Sequence, residues 1–294
     1  MTRFSSSNLD LSRVNRATLW PARSFEEIVQ RRIADFKQRL TAAGFDFDVE
    51  SLESDPGIVL LQSGAYRELV KSYEIDDAQA AVLLAFATGA FLDKLGDLHA
   101  TPRQEGETDD RYRARIQLAP EAFSNAGTLG GYLYHAVSAS PLVKDVGISV
   151  VNKGTNDVGV ELVILSSVGN GEPSDDLMQI VRARLLQDDV RLTTDNLIVR
   201  PARVVTFDVS ASLRIRPGPD PLTIRNNALA ALQRMAARYK RVGGDIPASA
   251  VSAALYTDGV DRVDMQAPAA DVTTLRFQAP HLRNITLKTV VSDD

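Results

Sequence analysis

Between Ser24 and Leu40 the apolar residues Phe25, Ile28, Val29, Ile33, Phe36 and Leu40 recur at intervals of three and four, with Arg31, Lys37 and Arg39 mainly off that stripe. This spacing predicts an amphipathic helix, opened by a Ser24/Glu27 capping box and closed at Gly44. Asp55 and Pro56 repeat the start signal, and no further proline intervenes before Thr88, which predicts a second helix about 50 Å long if it is unbroken, with Asp76 and Asp77 as the place where it could break. Its first part is amphipathic through Ile58, Leu61, Ala65, Leu69 and Tyr73, whereas Ala80 to Ala87 is apolar nearly all round. A helix of that second kind has to be covered on every side, either by the rest of this chain or by another one. A short helix is expected from Phe91 to His99, another opening at Thr108, Asp109 and Asp110, and another from Gly127 and Thr128 to about Ser138.

Beyond Pro141 the pattern changes to β-branched, alternating runs. Strands are predicted at Val143–Val151, Val158–Leu165, Asn196–Arg200, Val204–Ile215 and Val260–Gln266, with two more near Leu275 and Ile285. Helices are predicted from Ser174 to Gln187, from Asp220 and Pro221 to Tyr239, and from Ala248 to Tyr256. The order helix–strand–strand–helix in the first stretch returns permuted as strand–helix–helix–strand in the second. The expected fold class is therefore α+β, with an N-terminal helical bundle part followed by two related α+β modules. The expected division is an extended arm over residues 1–22, a helical domain over 23–126, a first α+β module over 127–195, and a second over 196–294 that carries the C-terminal strands. Trp20, at the end of the arm, is either an anchor for a partner or tucked onto its own domain.

Composition narrows the chemistry. With 33 Lys and Arg against 38 Asp and Glu the net charge is -5, the opposite of a general phosphate-backbone binder. There is no cysteine, and the three histidines, His99, His135 and His281, stand far apart, so neither thiolate chemistry nor a helical zinc motif is expected, and no cofactor or metal is implied. The longest apolar stretch, Ala80 to Leu92, falls short of the ~18 residues that suggest a bilayer span, so a soluble chain with no membrane segment of its own is expected. No phosphate loop or nucleophile elbow occurs, and Gly169–Asn170–Gly171 reads as a turn.

Acidic doublets at Asp76–Asp77, Asp109–Asp110, Asp175–Asp176 and Asp188–Asp189 lie mostly where helices start or end, which capping explains better than acid–base work. The arginines at 111, 113 and 115, two apart, do not read as one face, and exposed pairing with nearby acids is expected of them. His135, among aromatic residues, reads as a packed side chain. No catalytic constellation emerges. A cell-wall hydrolase using two convergent carboxylates stays as the alternative, and a nucleic-acid module would need a sharply segregated basic face.

Four segments carry a resemblance: DPGIVLLQSGAYRELV from Asp55 to Val70, AFATGAFLDKLG from Ala85 to Gly96, TDDRYRARIQLAPEAFSNAGTLGGYLYH from Thr108 to His135, and GGDIPASAVSAALYTDGVDRV from Gly243 to Val263. In content and order, over roughly residues 20–270, they resemble the baseplate J-like proteins of contractile phage tails and related tailocins. The resemblance implies a structural, non-enzymatic subunit found in the tail baseplate of a phage or tailocin particle, and in the bacterial cytoplasm during assembly. Its partners would be other wedge subunits and further copies of itself, with the hub and spike contacted indirectly. Trp20, Phe25, Ile28, Val29, Ile33, Phe36, Ile58, Leu61, Leu69 and Tyr73 would lie in or near the wedge bundle. Ile246, Val251, Leu255, Val260 and Val263 would belong to the part that forms a ring around the central hub.

Overall fold

The computed structural model describes residues 11, 14, 24–45, 56–123, 127–154, 158–216, 218 and 220–291. Apart from residues 11 and 14, the expected arm over residues 1–22, with Trp20, and the start signal at Asp55 lie outside the described residues. The chain divides into two compact units, with the change at Pro102/Arg103.

The smaller unit is helical. Helix α1 spans Phe25–Ala42, and its capping box is formed in both directions: the Ser24 hydroxyl accepts from the Glu27 N–H at 3.2 Å while the Glu27 carboxylate accepts from the Ser24 N–H at 3.0 Å. Helix α2 spans Pro56–Ala81, about 39 Å, and runs through Asp76 and Asp77 without a break. The two helices share a seam in which Ile28, Val29 and Ala65 are buried and Phe25, Ile33 and Leu69 pack around them. Polar contacts close its flank, where Arg31 and Arg32 both hold Glu68, the latter from Nε at 3.2 Å. Past Ala81 the chain turns, with the Leu83 carbonyl accepting from the N–H groups of Phe86 and Ala87, where the sequence predicts continued helix to about Thr88. Ala87 and Leu92 end fully buried. Helix α3 spans Gly89–Leu98.

The larger unit carries helices α4 (Asp109–Ala122) and α5 (Leu129–Ser138), then strands β1 (Val143–Val151) and β2 (Gly159–Ser166), helix α6 (Asp175–Leu185) and strand β3 (Asn196–Pro201). Strand β4 (Arg203–Ile215), helices α7 (Pro221–Tyr239) and α8 (Ala248–Leu255), and strands β5 (Val260–Ala267) and β6 (Gln278–Val291) follow. Two three-stranded sheets result, β1-β2-β3 and β5-β4-β6. Each has a central strand with an antiparallel neighbour on one side and a parallel neighbour on the other.

The two sheets correspond element by element. The central strands β2 and β4 are each followed by a helix, α6 and α7. The antiparallel edges β1 and β5 are each preceded by a short helix, α5 and α8, and the parallel edge strand comes last in both. The first four elements of one module are thus a circular permutation of those of the other, as the sequence pattern predicts.

Each module has its own core. Tyr132, Ala136, Leu162, Ile164, Val181 and Leu185 fill the first, and Val209, Leu213, Ile224, Leu232, Ile246 and Val251 the second. Strand β2 is buried on both faces: its other side, Val163 and Leu165, packs with Ala202, Ala279, Val242 and Phe277 and so joins the modules. The approach is close at Gly147, where an added Cβ would lie 2.5 Å from Val242 Cγ1.

Three features differ from the sequence expectation. Leu275 lies in a turn instead of a strand, because its N–H donates to the Gln278 side chain and the Gln278 N–H donates back to its carbonyl, both at 2.8 Å. The border expected at 126/127 falls within the larger unit, since α4 is anchored there by its arginines. The border expected at 195/196 falls within the first sheet, since β3 pairs with β2, and the second sheet begins at Arg203 after the single buried residue Ala202.

Candidate functional site

Helix α2 carries two apolar stripes. The first faces α1: Ile58 and Ala65 are buried and Leu61 and Leu69 half-buried, and on α1 Ile28 and Val29 are buried and Phe25, Ile33 and Phe36 half-buried. Phe25, Ile28, Val29, Ile33 and Leu69, half of the residues expected at a partner interface, therefore build the hairpin itself. Tyr73 differs, being 60% exposed, and it belongs to the second stripe with Val59, Tyr66 and Val70 at 51%, 62% and 36%. At about 100° per residue these four fall on one face, roughly a quarter turn from the first stripe. With exposed Ser63 and Asp77 they alternate by four and three, which is the spacing of a heptad seam. Towards the end of α2 the Asp76 Oδ1 and Gln79 Oε1 atoms are buried without a hydrogen-bond partner. Leu60, Val82, Phe91 and Leu98 are exposed in the same unit. Exposed apolar side chains repeating along one helix face mark a candidate docking face.

The residues expected at a ring interface lie mainly inside the second module. Ile246, Val251 and Leu255 are fully buried in its core, and Val260 and Val263 are partly buried against it. They fix α8 and β5 onto β4 and α7.

Sequence spacing missed a buried ionic cluster. Arg111 and Arg115 are one helical turn apart and share a face of α4, so the expectation of exposed pairing fails for both. Arg115 is 3% exposed and holds the Glu107 carboxylate with Nε at 2.9 Å and Nη2 at 2.8 Å. Arg111 Nε lies 3.3 Å from the same carboxylate, and its guanidinium donates to the carbonyls of Val137 and Ser140 at 2.9 Å each and to that of Val143. These carbonyls end α5 and lead into β1, so the cluster ties α4 to the first module. Burial pushes the Glu107 carboxyl up, but Arg115, the Gln104 N–H and Arg111 together hold it below its ordinary value.

A cavity of about 300 Å³ opens between α5 and the loop after α6, lined by Thr128, Tyr132, His135, Asp189 and Arg191 among others. Burial first, and then the neighbouring Arg184, lowers the pKa of His135, with Arg184 Nη2 at 3.2 Å from Nδ1. The Tyr132 hydroxyl donates to Asp195 at 2.6 Å, and burial together with that carboxylate pushes its pKa up to about 12. Asp189 pairs with Arg184 at 3.4 Å, and Asp109, Asp110, Asp175 and Asp176 occupy first turns of helices. Asp145 is the carboxyl lifted by burial, and it is occupied in accepting the Val242 N–H at 2.7 Å. Among the described residues no group of three acids or histidines could hold a metal ion, and no helix is long and apolar enough to cross a membrane.

Comparison with known proteins places these features. Residues 53–110 match the model of the baseplate J-like N-terminal domain, and residues 207–288 match that of the baseplate J-like protein C-terminal domain. The first takes in α2 and α3, and the second most of the β5-β4-β6 module. Baseplate protein J of Escherichia phage P2 is 36% identical over 259 residues, covering 83% of this chain and 84% of that protein. A chain in the cryo-EM structure of the anti-feeding prophage baseplate, six-fold symmetrised, aligns at 13% identity with a TM-score of 0.32. That alignment covers 88% of this chain and 53% of the other, so this chain spans about half its length, and a TM-score of that size establishes no shared fold. Two matched domains in order and a relative aligned along most of both chains assign the protein: it belongs to the baseplate J-like family.

Proposed function

We propose that the chain is a structural subunit of a contractile tail baseplate, joining wedge partners through its helical unit and contributing its α+β unit to a ring of subunits around the central hub. Its usefulness lies in adhesion, with no catalytic step. The observation that carries this reading is the second stripe of α2. Val59, Tyr66, Val70 and Tyr73 repeat at heptad spacing and stay in water, and the α1–α2 hairpin has already used its other stripe. A third helix laid on that face would bury about 25 cal/mol for each Å² of apolar surface. The residues of the first stripe, from Ile28 to Leu69, act by holding α2 straight. Those of the second core, Ile246, Val251 and Leu255 with Val260 and Val263, serve the ring from within by keeping its module rigid. The hydrolase alternative finds no support in Asp109, Asp110, Asp175 and Asp176, which sit in first turns of helices, or in Asp189, which pairs with Arg184.

The test is co-expression with the other wedge subunits, read by size-exclusion light scattering. The chain with Tyr66→Lys and Tyr73→Lys is expected to keep its circular dichroism spectrum, because both positions are exposed, and to lose the complex that the unaltered chain forms. Undiminished association of the double variant would overturn the assignment of the seam.

A further inference from the structure

Segments far apart in sequence meet where β1 begins. The Ser167 N–H donates to the Leu142 carbonyl at 2.8 Å, bringing the turn after β2 to the start of β1. Past α7, the Val242 N–H donates to the Asp145 carboxylate and the Gly243 N–H to the Gln278 carbonyl, both at 2.7 Å, which brings the end of α7 onto β1 and the start of β6. Three basic side chains converge there: Lys144 from β1, Lys240 from the end of α7, and His281 from β6. Lys144 Nζ donates to the Ala237 carbonyl at 3.4 Å and Lys240 Nζ to the Gly169 carbonyl at 3.2 Å. Each ammonium has thereby used one of its three hydrogens.

The charges in this groove do not balance. Among the described residues Asp145 is the carboxylate that acts on Lys144, and none acts on Lys240 or His281. Asp145 faces Lys144 and Arg241, and burial raises its pKa against the pull of both. Glu172, on the neighbouring turn, is held by Asn170. Burial first, and then Lys144, lowers the pKa of Lys240, and burial followed by both lysines lowers that of His281. Repulsion of this kind within a chain of net charge -5 is relieved when an anion enters. The ammonium hydrogens left over would donate to it, and His281 would take up a proton and add a further charge-assisted bond. Leu142 and Val168 stand exposed beside the groove at 46% and 59%.

We infer that this groove is a docking seat for the carboxylate side chains of an acidic segment on a neighbouring protein subunit. The apolar rim of Leu142 and Val168 suits the flanks of a peptide while offering nothing to a bare anion or a phosphate backbone. The inference draws on the assembly reading only for the source of the carboxylates. The groove belongs to the α+β unit and the helical seam to the other, so failure at one leaves the other standing.

The His281 imidazole reports on the seat by NMR in the full chain, since the chain has three histidines and His281→Gln identifies the resonance. The probe is an Asp-Leu-Asp-Leu-Asp peptide, with Asn-Leu-Asn-Leu-Asn and inorganic phosphate as comparisons at equal ionic strength. The acidic peptide is expected to raise the proton affinity of His281 about tenfold, saturably. In a Lys144→Gln/Lys240→Gln variant, whose glutamines can still donate to the two carbonyls, His281 is expected to start with a higher proton affinity and to ignore the peptide. No change at His281 in the unaltered chain, or an equal change with the Asn peptide, would overturn the proposal. An equal response to inorganic phosphate would overturn it too, by showing an adventitious ion only. These outcomes are read on the unaltered chain and stand even where the double variant does not fold.

Discussion

Replacing Glu107 by glutamine removes one negative charge from a site where two guanidinium groups converge. Its carboxylate accepts from Arg115 Nε and Nη2 and from the Gln104 N–H at 2.8–3.0 Å, with Arg111 Nε at 3.3 Å. The Glu107 side chain is fully buried, so water cannot take its place. Breaking a buried pair from one side costs about 3–5 kcal/mol, because the remaining charge is left without compensation. Glutamine keeps one acceptor, which places E107Q at the lower end, about 3 kcal/mol. Urea unfolding of the full chain followed by circular dichroism checks this as an earlier midpoint for the transition of the larger unit. The double variant E107Q/R115M, which removes the second charge and fills its volume with apolar atoms, is expected to recover most of the loss. The sign with pH follows from the depressed carboxyl: its contribution is present above the ordinary Glu value of about 4.3 and is lost as pH falls below that value. A loss under about 1 kcal/mol for E107Q, the size seen for exposed pairs, would refute the claim that the cluster is dry.

Gly147→Ala would place a methyl group 2.5 Å from Val242 Cγ1 and is expected to cost about 1–3 kcal/mol, with Val242→Ala restoring most of it in the pair, both read as thermal midpoints. Tyr132 is expected to stay un-ionised until about pH 12 in an ultraviolet titration, so its bond to Asp195 contributes stability that is full below the ordinary tyrosine pKa near 10 and disappears as pH rises through 12. Ionisation of every tyrosine near pH 10 in the folded chain would contradict this.

Local signals carried far. The Ser24/Glu27 box, Asp220 with Pro221, and the alternation of Val143–Val151 locate α1, α7 and β1, because caps and periodicity act within a few residues. The permuted order of helices and strands was legible for the same reason. What stayed hidden depends on approach in space. The strongest apolar stripe of α2 is the one α1 already covers, while the exposed stripe mixes tyrosines with polar neighbours and reads weakly along the chain. Considering Arg111, Arg113 and Arg115 pairwise at a spacing of two concealed the one-turn relation of the outer pair. Nothing in the sequence near Lys144, Lys240 or His281 announces the others, since contacts between distant segments, among them the close approach at Gly147 and Val242, bring them together.

The joint at Ala202 gives the α+β unit a mechanical character. Because β2 and β3 run parallel, as do β4 and β6, tension applied at Gly159 and Pro201, or at Arg203 and Val291, enters one strand at its start and leaves the other at its end. Such a pull shears the ladder, so the thirteen residue pairs from Arg203–Gln278 to Ile215–Val291 resist together instead of unzipping one by one. A single residue between the two ladders leaves little slack, and strain arriving at one sheet passes to the next as if through a stiff rod.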